Sequence, residues 1–258
     1  MPYRCSRRTL LGACGACVVA PSLVCASEGG KMVNQEFALS AVQMLQIGQI
    51  KVSVIIDRKT VFNQSLFEGV EKSPEMMAYL PGGEAPGVVK TFLVQIPNRQ
   101  VLIDAGYGAS AGGSTVETLL KMEIKPEEIT DVFLTHLDGD HIGGLVQNDK
   151  AVFSKATVHL SKAEYESWIE KGVGRAEGSI QRARSILSFY RDRVKTFDFD
   201  EEVLPGMLAS DARGHTMGHT RYDLDSDGKG MSIIGDLMHA YPLQMRHTKM
   251  SSRYDEDP

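Results

Sequence analysis

Four side chains able to bind a metal ion fall within six consecutive residues, His136-Leu137-Asp138-Gly139-Asp140-His141. The run before them, Asp131-Val132-Phe133-Leu134, is apolar and of strand type, and Gly143-Gly144 follow. Residues two apart at an extended strand end point the same way. His136 and Asp138 can therefore face one ion, while Asp140 and His141 in the ensuing turn reach a second. Two ions that share a water bring its deprotonation toward neutral pH, so the spacing predicts a dinuclear hydrolytic site. The plainer use of these residues is a helix cap, with Asp140 accepting from a helix that begins near His141. Two downstream groups argue against it: Gly214-His215-Thr216-Met217-Gly218-His219-Thr220, and an apolar run, Met231-Ser232-Ile233-Ile234, that leads through Gly235 into Asp236.

In combination these three pieces resemble the metallo-β-lactamase superfamily, with its H-x-H-x-D-H motif, its G-H-T-x-G-H turn and a later G-D at a strand end. The resemblance covers about residue 50 onward. It implies an α/β fold, the four-layer αβ/βα sandwich, with the metal site at one edge between two sheets. It also implies that His136, Asp138 and His215 face one metal, that Asp140 and His141 face another, and that Asp236 bridges them. Asp104 would lie behind the ligands, and His219 would brace the turn rather than bind metal. Within the superfamily the chain looks most like the exported branch that includes organophosphate hydrolases and lactonases.

Asp138 departs from the pattern, which has His there. Zinc accepts a carboxylate oxygen as readily as an imidazole nitrogen. An added carboxylate makes the site harder and more anionic, which moves preference toward iron or manganese. Two divalent ions, zinc first, are therefore expected, with iron or manganese admitted at the Asp138 site. The reaction implied is hydrolysis of an ester, lactone, amide or phosphoester in a small-molecule substrate, with Asp140 and Asp236 fixing the nucleophile. Two other readings compete: a binding-only member of the fold, and a di-iron redox protein, which Asp138 alone favours. Relatives continue past a stretch like Tyr254–Pro258 into a helix and a strand carrying one more His. The expectation is accordingly a fold lacking that final helix and strand, a weak second metal, and self-association through an uncovered sheet face. His239 and His247 are the candidates to supply the lost ligand.

The elements that must position these residues begin with a leader. Ser6-Arg7-Arg8-Thr9-Leu10-Leu11 and a short apolar run to Ala26 resemble a twin-arginine export signal over residues 1–26. The run is too short for a membrane span, and periplasmic or secreted location follows. All 4 cysteines lie in that segment, so the mature chain has neither thiolate ligands nor disulfides. Of 28 basic residues three go with the signal, leaving 25 against 33 acidic. An acidic chain is a poor partner for nucleic acid or an anionic membrane.

Residues 27–48 read as a flexible lead and 49–258 as one domain. Residues 49–57 form a strand that turns at Arg58-Lys59 into Thr60-Val61-Phe62. Residues 63–87 form a loop beside the site; Phe62, Phe67, Met76, Met77 and Tyr79 there either pack on the sheet or furnish apolar contacts to a substrate. Residues 88–96 and 100–106 make a hairpin, 114–122 and a short segment from Lys125 are helical, and 156–160 is a strand in which His159 has no metal role. Ser161-Lys162-Ala163-Glu164 is a capping-box pattern, 180–190 an amphipathic helix, and 194–199 and 206–212 strands. The segments 221–225 and 230–234 form a hairpin with an exposed Asp227-Gly228 turn.

Overall fold

The computed structural model describes residues 42–69, 78 and 80–257. Residues 1–26, expected to be an export signal, most of the expected lead, and Met76, Met77 and Tyr79 lie outside the described residues. In chain order the strands are β1 (Val42–Ile47), β2 (Ile50–Asn63), β3 (Phe67–Glu68), β4 (Glu84–Ile96), β5 (Arg99–Ile103), β6 (Asp131–Phe133), β7 (Val146–Gln147) and β8 (Lys150–Ala151). They continue as β9 (Thr157–Ser161), β10 (Val194–Phe197), β11 (Glu201–Leu204), β12 (Met207–Asp211), β13 (Thr220–Ser226), β14 (Lys229–Ile233) and β15 (Ser251–Ser252). The helices are α1 (Thr115–Lys121), α2 (Gly139–Ile142), α3 (Lys162–Tyr165, continued by a π-helical turn to Lys171), α4 (Glu177–Ser188) and α5 (Tyr241–Gln244).

A 7-stranded sheet runs β1-β2-β4-β5-β6-β9-β10, and a 4-stranded sheet runs β11-β12-β13-β14. The pairs β5/β6, β6/β9 and β9/β10 are parallel. Each such pair needs a crossover, which α1, α2 and the α3–α4 segment supply. Side chains alternate across a strand, and here the alternation sorts two cores. Leu102, Val132 and Leu160 face Leu119, Trp168, Ile180 and Leu187 on the helical side. Val101, Ile103 and Phe133 face Tyr222, Leu224 and Ile233 of the smaller sheet. The mixed sandwich expected from the sequence is thus present.

Several expectations need correction. Part of the expected lead is ordered: β1 pairs with β2 through a two-residue connection, Ile47 opposite Ile50, with Gly48 at φ +54°. Its burial does not alternate cleanly, so the periodicity was too weak to read. No turn interrupts β2 at Arg58-Lys59. The ladder with β4 shifts register between Ile56 and Arg58, a bulge that leaves Asp57 facing inward. Its carboxylate accepts from Tyr107 N and Thr115 N, both 2.9 Å, and from Thr115 Oγ1 at 2.6 Å. β4 also begins earlier than expected, inside the loop assigned to 63–87. Pro86 is tolerated because that end of β4 pairs only with β2.

The outward face of β12–β14 carries a polar network. Asp223 accepts from Ser210 Oγ (2.6 Å), Arg221 Nη2 (2.7 Å) and Ser232 Oγ (2.5 Å), with Leu208 the exposed apolar residue there.

Candidate metal centre

The strand β6 delivers Thr135 and His136 to the edge between the sheets, and α2 carries Asp140 and His141 half a turn further. Two hydrogen bonds orient these rings. Asp104, held at φ +59°, accepts from Thr135 N and Thr135 Oγ1, both 2.8 Å. It also lies 2.8 Å from His141 Nδ1. Because Thr135 Oγ1 spends its proton on Asp104, it receives one from His136 Nδ1 at 2.9 Å. Both rings are thereby fixed with Nε2 bearing its lone pair and facing inward. Those Nε2 atoms are buried and make no hydrogen bond, each facing a carboxylate oxygen, Asp138 Oδ2 at 3.4 Å from His136 and Asp236 Oδ1 at 3.3 Å from His141. The helix-cap alternative is not realised: the residue preceding α2 is Asp138, and its side chain makes no cap hydrogen bond.

The second turn supplies two histidines with opposite fates. His215 gives Nδ1 to Asp255 Oδ1 at 3.0 Å and turns Nε2 toward Asp138 Oδ2 at 3.1 Å and Asp236 Oδ2 at 3.8 Å. His219 donates from Nδ1 to Ala212 O at 3.1 Å and accepts Asp236 N on Nε2 at 3.0 Å. Both its nitrogens are spent on backbone, so it ties the turn to the strand end carrying Asp236. Gly235 allows that approach, since a Cβ there would lie 2.6 Å from His219 Nε2.

Three groups of ligand-type atoms lie within 4.8 Å of one another: His136 with Asp138 and His215, His136 with His141 and Asp236, and His215 with Asp236 and His239. His136 thus borders both sides of the centre, where the sequence reading gave it one. Asp140 sits beside the second group, its Oδ2 3.6 Å from His141 Nε2. His239 comes within 3.3 Å of Asp236 Oδ2 and is buried; His247 is in none of these groups. His159 instead pairs with Asp131 at 2.9 Å and stacks on Phe133.

Sequence reasoning missed several residues here. Glu164 was read as closing a capping box. Ser161 does accept from Glu164 N at 3.1 Å, but the carboxylate leaves the helix. It accepts from Leu137 N (2.9 Å), Thr216 Oγ1 (2.7 Å) and Gly218 N (2.9 Å), so one buried side chain clamps both histidine turns. Arg175, from the loop before α4, reaches Asp138 through Nε at 3.0 Å and Nη2 at 2.9 Å. Asp255 and Glu256 return from the far end of the described chain. Glu256 accepts from Arg175 Nη1 at 2.8 Å and Met217 N at 3.1 Å.

The electrostatics follow from these contacts. Burial opposes the charge on Asp138, but the His136 ring, its Nε2 3.4 Å away, and the hydrogen bonds of His215 and Arg175 outweigh it and hold the carboxyl well below its usual range. Burial likewise opposes protonation of His215, yet the bonds with Asp138 and Asp255 raise it to about 9. For His219, burial and the nearby His215 bring the value down to about 3. Glu164, buried and facing the charges of Asp138 and Glu256, rises to about 7 against the pull of its hydrogen bonds. Imidazole and carboxylate oxygen suit zinc, iron and manganese alike. Rings whose Nδ1 is committed behind them and whose Nε2 is buried without a hydrogen bond are the arrangement that metal-binding histidines adopt. The residues present therefore fit a metal centre.

The centre floors a cleft of about 1480 Å³ that opens between the sheets. Its walls include Val61, Phe62, Phe92, Met231, Ile233 and Met238, with Tyr107 beside the floor. The family model of the metallo-beta-lactamase superfamily matches residues 85–255. An N-acyl homoserine lactonase of Bacillus cereus is 26% identical over 119 residues, which is 46% of this chain and 42% of that protein. The match thus spans less than half of the relative's length. Among solved structures, a hydrolase of the β-lactamase superfamily, AbOPH, superposes with TM-score 0.77 at 26% identity, covering 84% of this chain and 81% of that one. The dizinc quorum-quenching lactonase AidC, solved with N-hexanoyl-L-homoserine as product, gives 0.74 at 22% identity over 84% and 81%. At that identity its likeness bears on the fold.

Proposed function

The chain belongs to the metallo-β-lactamase superfamily, a superfamily of metal-dependent hydrolases, and from that premise we propose that it hydrolyses an uncharged ester or lactone bearing an apolar chain. The observation that carries this reading is the pair of buried Nε2 atoms of His136 and His141, free of hydrogen bonds and converging with Asp236 on the floor of an apolar cleft. His141, Asp140 and Asp236 would hold one divalent ion, Asp138, His215 and Asp236 offer ligands for another, and the single free Nε2 of His136 is available to one of the two. A divalent ion bound there supplies Lewis acidity, polarising the scissile oxygen and acidifying water.

The protein's own part is to orient and move protons. Asp140 and Asp236 accept hydrogen bonds from the attacking water and aim it at the carbonyl. Burial and the neighbouring Asp236 raise the Asp140 carboxyl, against the pull of His141. Asp140 can therefore take the water's proton on Oδ2 and return it to the leaving oxygen, as a general base and then acid must. Val61, Phe62, Phe92 and Met231 take the apolar part of the substrate out of water. Each buried methylene there contributes about 0.8 kcal/mol, which favours long-chain over short-chain substrates.

Zinc is the first ion this reading expects, with iron or manganese admitted by the carboxylates. Export by the Arg7-Arg8 leader, to the periplasm or beyond, belongs to the same reading. The test is a panel of aryl esters, lactones of increasing chain length and phosphotriesters, assayed after chelation and after return of zinc or manganese. Turnover should appear with metal and rise with chain length. Metal-loaded protein inert on the whole panel would sink the reading.

A further inference from the structure

The two sides of the centre differ in a way that the proposed hydrolysis does not use. At His136 and His141 the inward nitrogens make no hydrogen bond, the nearest carboxylate oxygens standing 3.4 Å and 3.3 Å away. On the opposite side Asp138 is already engaged: Oδ1 accepts from Arg175 Nε at 3.0 Å, and Oδ2 accepts from Arg175 Nη2 at 2.9 Å, with His215 Nε2 3.1 Å from the same atom. A guanidinium has five N–H donors in a rigid fork. The others are spent as well, from Nη1 on Glu256 Oε1 (2.8 Å) and Gly174 O (3.3 Å), and from Nη2 on His215 O (3.1 Å). The group lies over the Trp168 ring at 5.9 Å, and its side chain is 16% exposed.

An exposed ion pair contributes little because water screens it and the side chains must be immobilised. A bidentate pair in a recess, with every donor used, is the strong form of the interaction. An ion approaching Asp138 and His215 must also displace a cation that is part of the chain, and so is always present at high effective concentration. Resting on the metal-centre reading above, we propose that Arg175 is a built-in cation that closes the Asp138–His215 side, so that this chain binds one divalent ion tightly, at His136, His141 and Asp236, and a second only weakly. Arginine at that place also gives a physical use to the one departure from the superfamily pattern. A His at position 138 would offer the guanidinium no bidentate acceptor.

The experiment is zinc titration of the chelator-stripped full chain against a competing dye, with elemental analysis after gel filtration. Cobalt absorbance reports the coordination of each equivalent. Wild type should retain one equivalent and bind the second at least a hundredfold more weakly. Arg175→Met keeps the packing on Trp168 and removes the charge, and it should bind the second ion at least tenfold more tightly than wild type. Should Arg175→Met fail to fold, as circular dichroism would show, Asp138→His breaks the same pair and should likewise retain close to two equivalents. Two equally tight equivalents in wild type, or a folded variant no tighter for the second ion, overturns the proposal. Wild type that binds no metal at all overturns the metal-centre reading, and the proposal with it.

Discussion

The turn at His136–His141 and the turn at His215–His219 use the same residue types at similar spacing, yet they treat their imidazoles differently. In the first, both rings give Nδ1 to a side chain, Thr135 or Asp104, and leave Nε2 bare. In the second, His215 follows that rule through Asp255, while His219 spends both nitrogens on backbone. What decides the role of a histidine here is the group that reaches its Nδ1, and that group lies up to 40 residues away in sequence. Spacing brings the rings to one place; the residues behind them set which lone pairs are free.

That contrast can be broken most sharply at His141. His141→Ala removes a bare Nε2, and metal retained after dialysis and hydrolysis should both fall by more than the ~10–100-fold that loss of a supporting hydrogen bond costs. Wild-type metal content in this variant would remove His141 from the ligand set. Asp104→Asn tests the support itself. Asn tolerates the left-handed backbone but cannot accept from every donor that Asp104 serves, so metal affinity should drop about 10–100-fold with the fold intact, read by chelator competition.

His219→Ala should do the reverse. Its metal content should stay near wild type, while the unpaired Asp236 N–H lowers stability by about 1–3 kcal/mol, read by denaturant unfolding. Loss of metal with unchanged stability would exchange the two histidines' roles. The last effect concerns the clamp between the turns and is read as a slope. Glu164 has its folded value raised from 4.5 to about 7, so the native state holds its proton where the unfolded chain has lost it. Stability from this group is complete below about pH 4.5 and declines toward pH 7, by at most roughly 1.4 kcal/mol per pH unit. Glu164→Gln should flatten that segment of a stability–pH curve. An unchanged slope would mean the carboxylate is ionised throughout.

The sequence disclosed the gathering residues and the general architecture for a simple reason. His136, Asp138, Asp140, His141 and Asp236 stand at ends of apolar strand runs, and strand periodicity is a local signal. Arg175, Asp255 and Glu256 were not legible, because they sit in segments without periodicity and acquire meaning only from partners such as Asp138, 37 residues from Arg175. Glu164 was misread because a local pattern, the capping box, explained it adequately. The bulge at Asp57 was misread as a turn, since a polar residue followed by Arg58-Lys59 looks alike in either case.

The return of Asp255 and Glu256 to the histidine turns has a consequence for biosynthesis. Those two residues follow every other member of the centre in the sequence, so a chain growing on the ribosome exposes His136, Glu164 and His215 before the carboxylates that fasten them have emerged. Domain cores can consolidate during synthesis, but contacts of such sequence separation wait for the later partner. The centre is therefore assembled after the sheets, and an ion captured earlier would meet a His215 ring free to rotate. Comparing how fast bound zinc exchanges from a ribosome-tethered chain stalled at residue 257 and from one in which an added linker carries residue 257 clear of the exit tunnel would time the closing of the site.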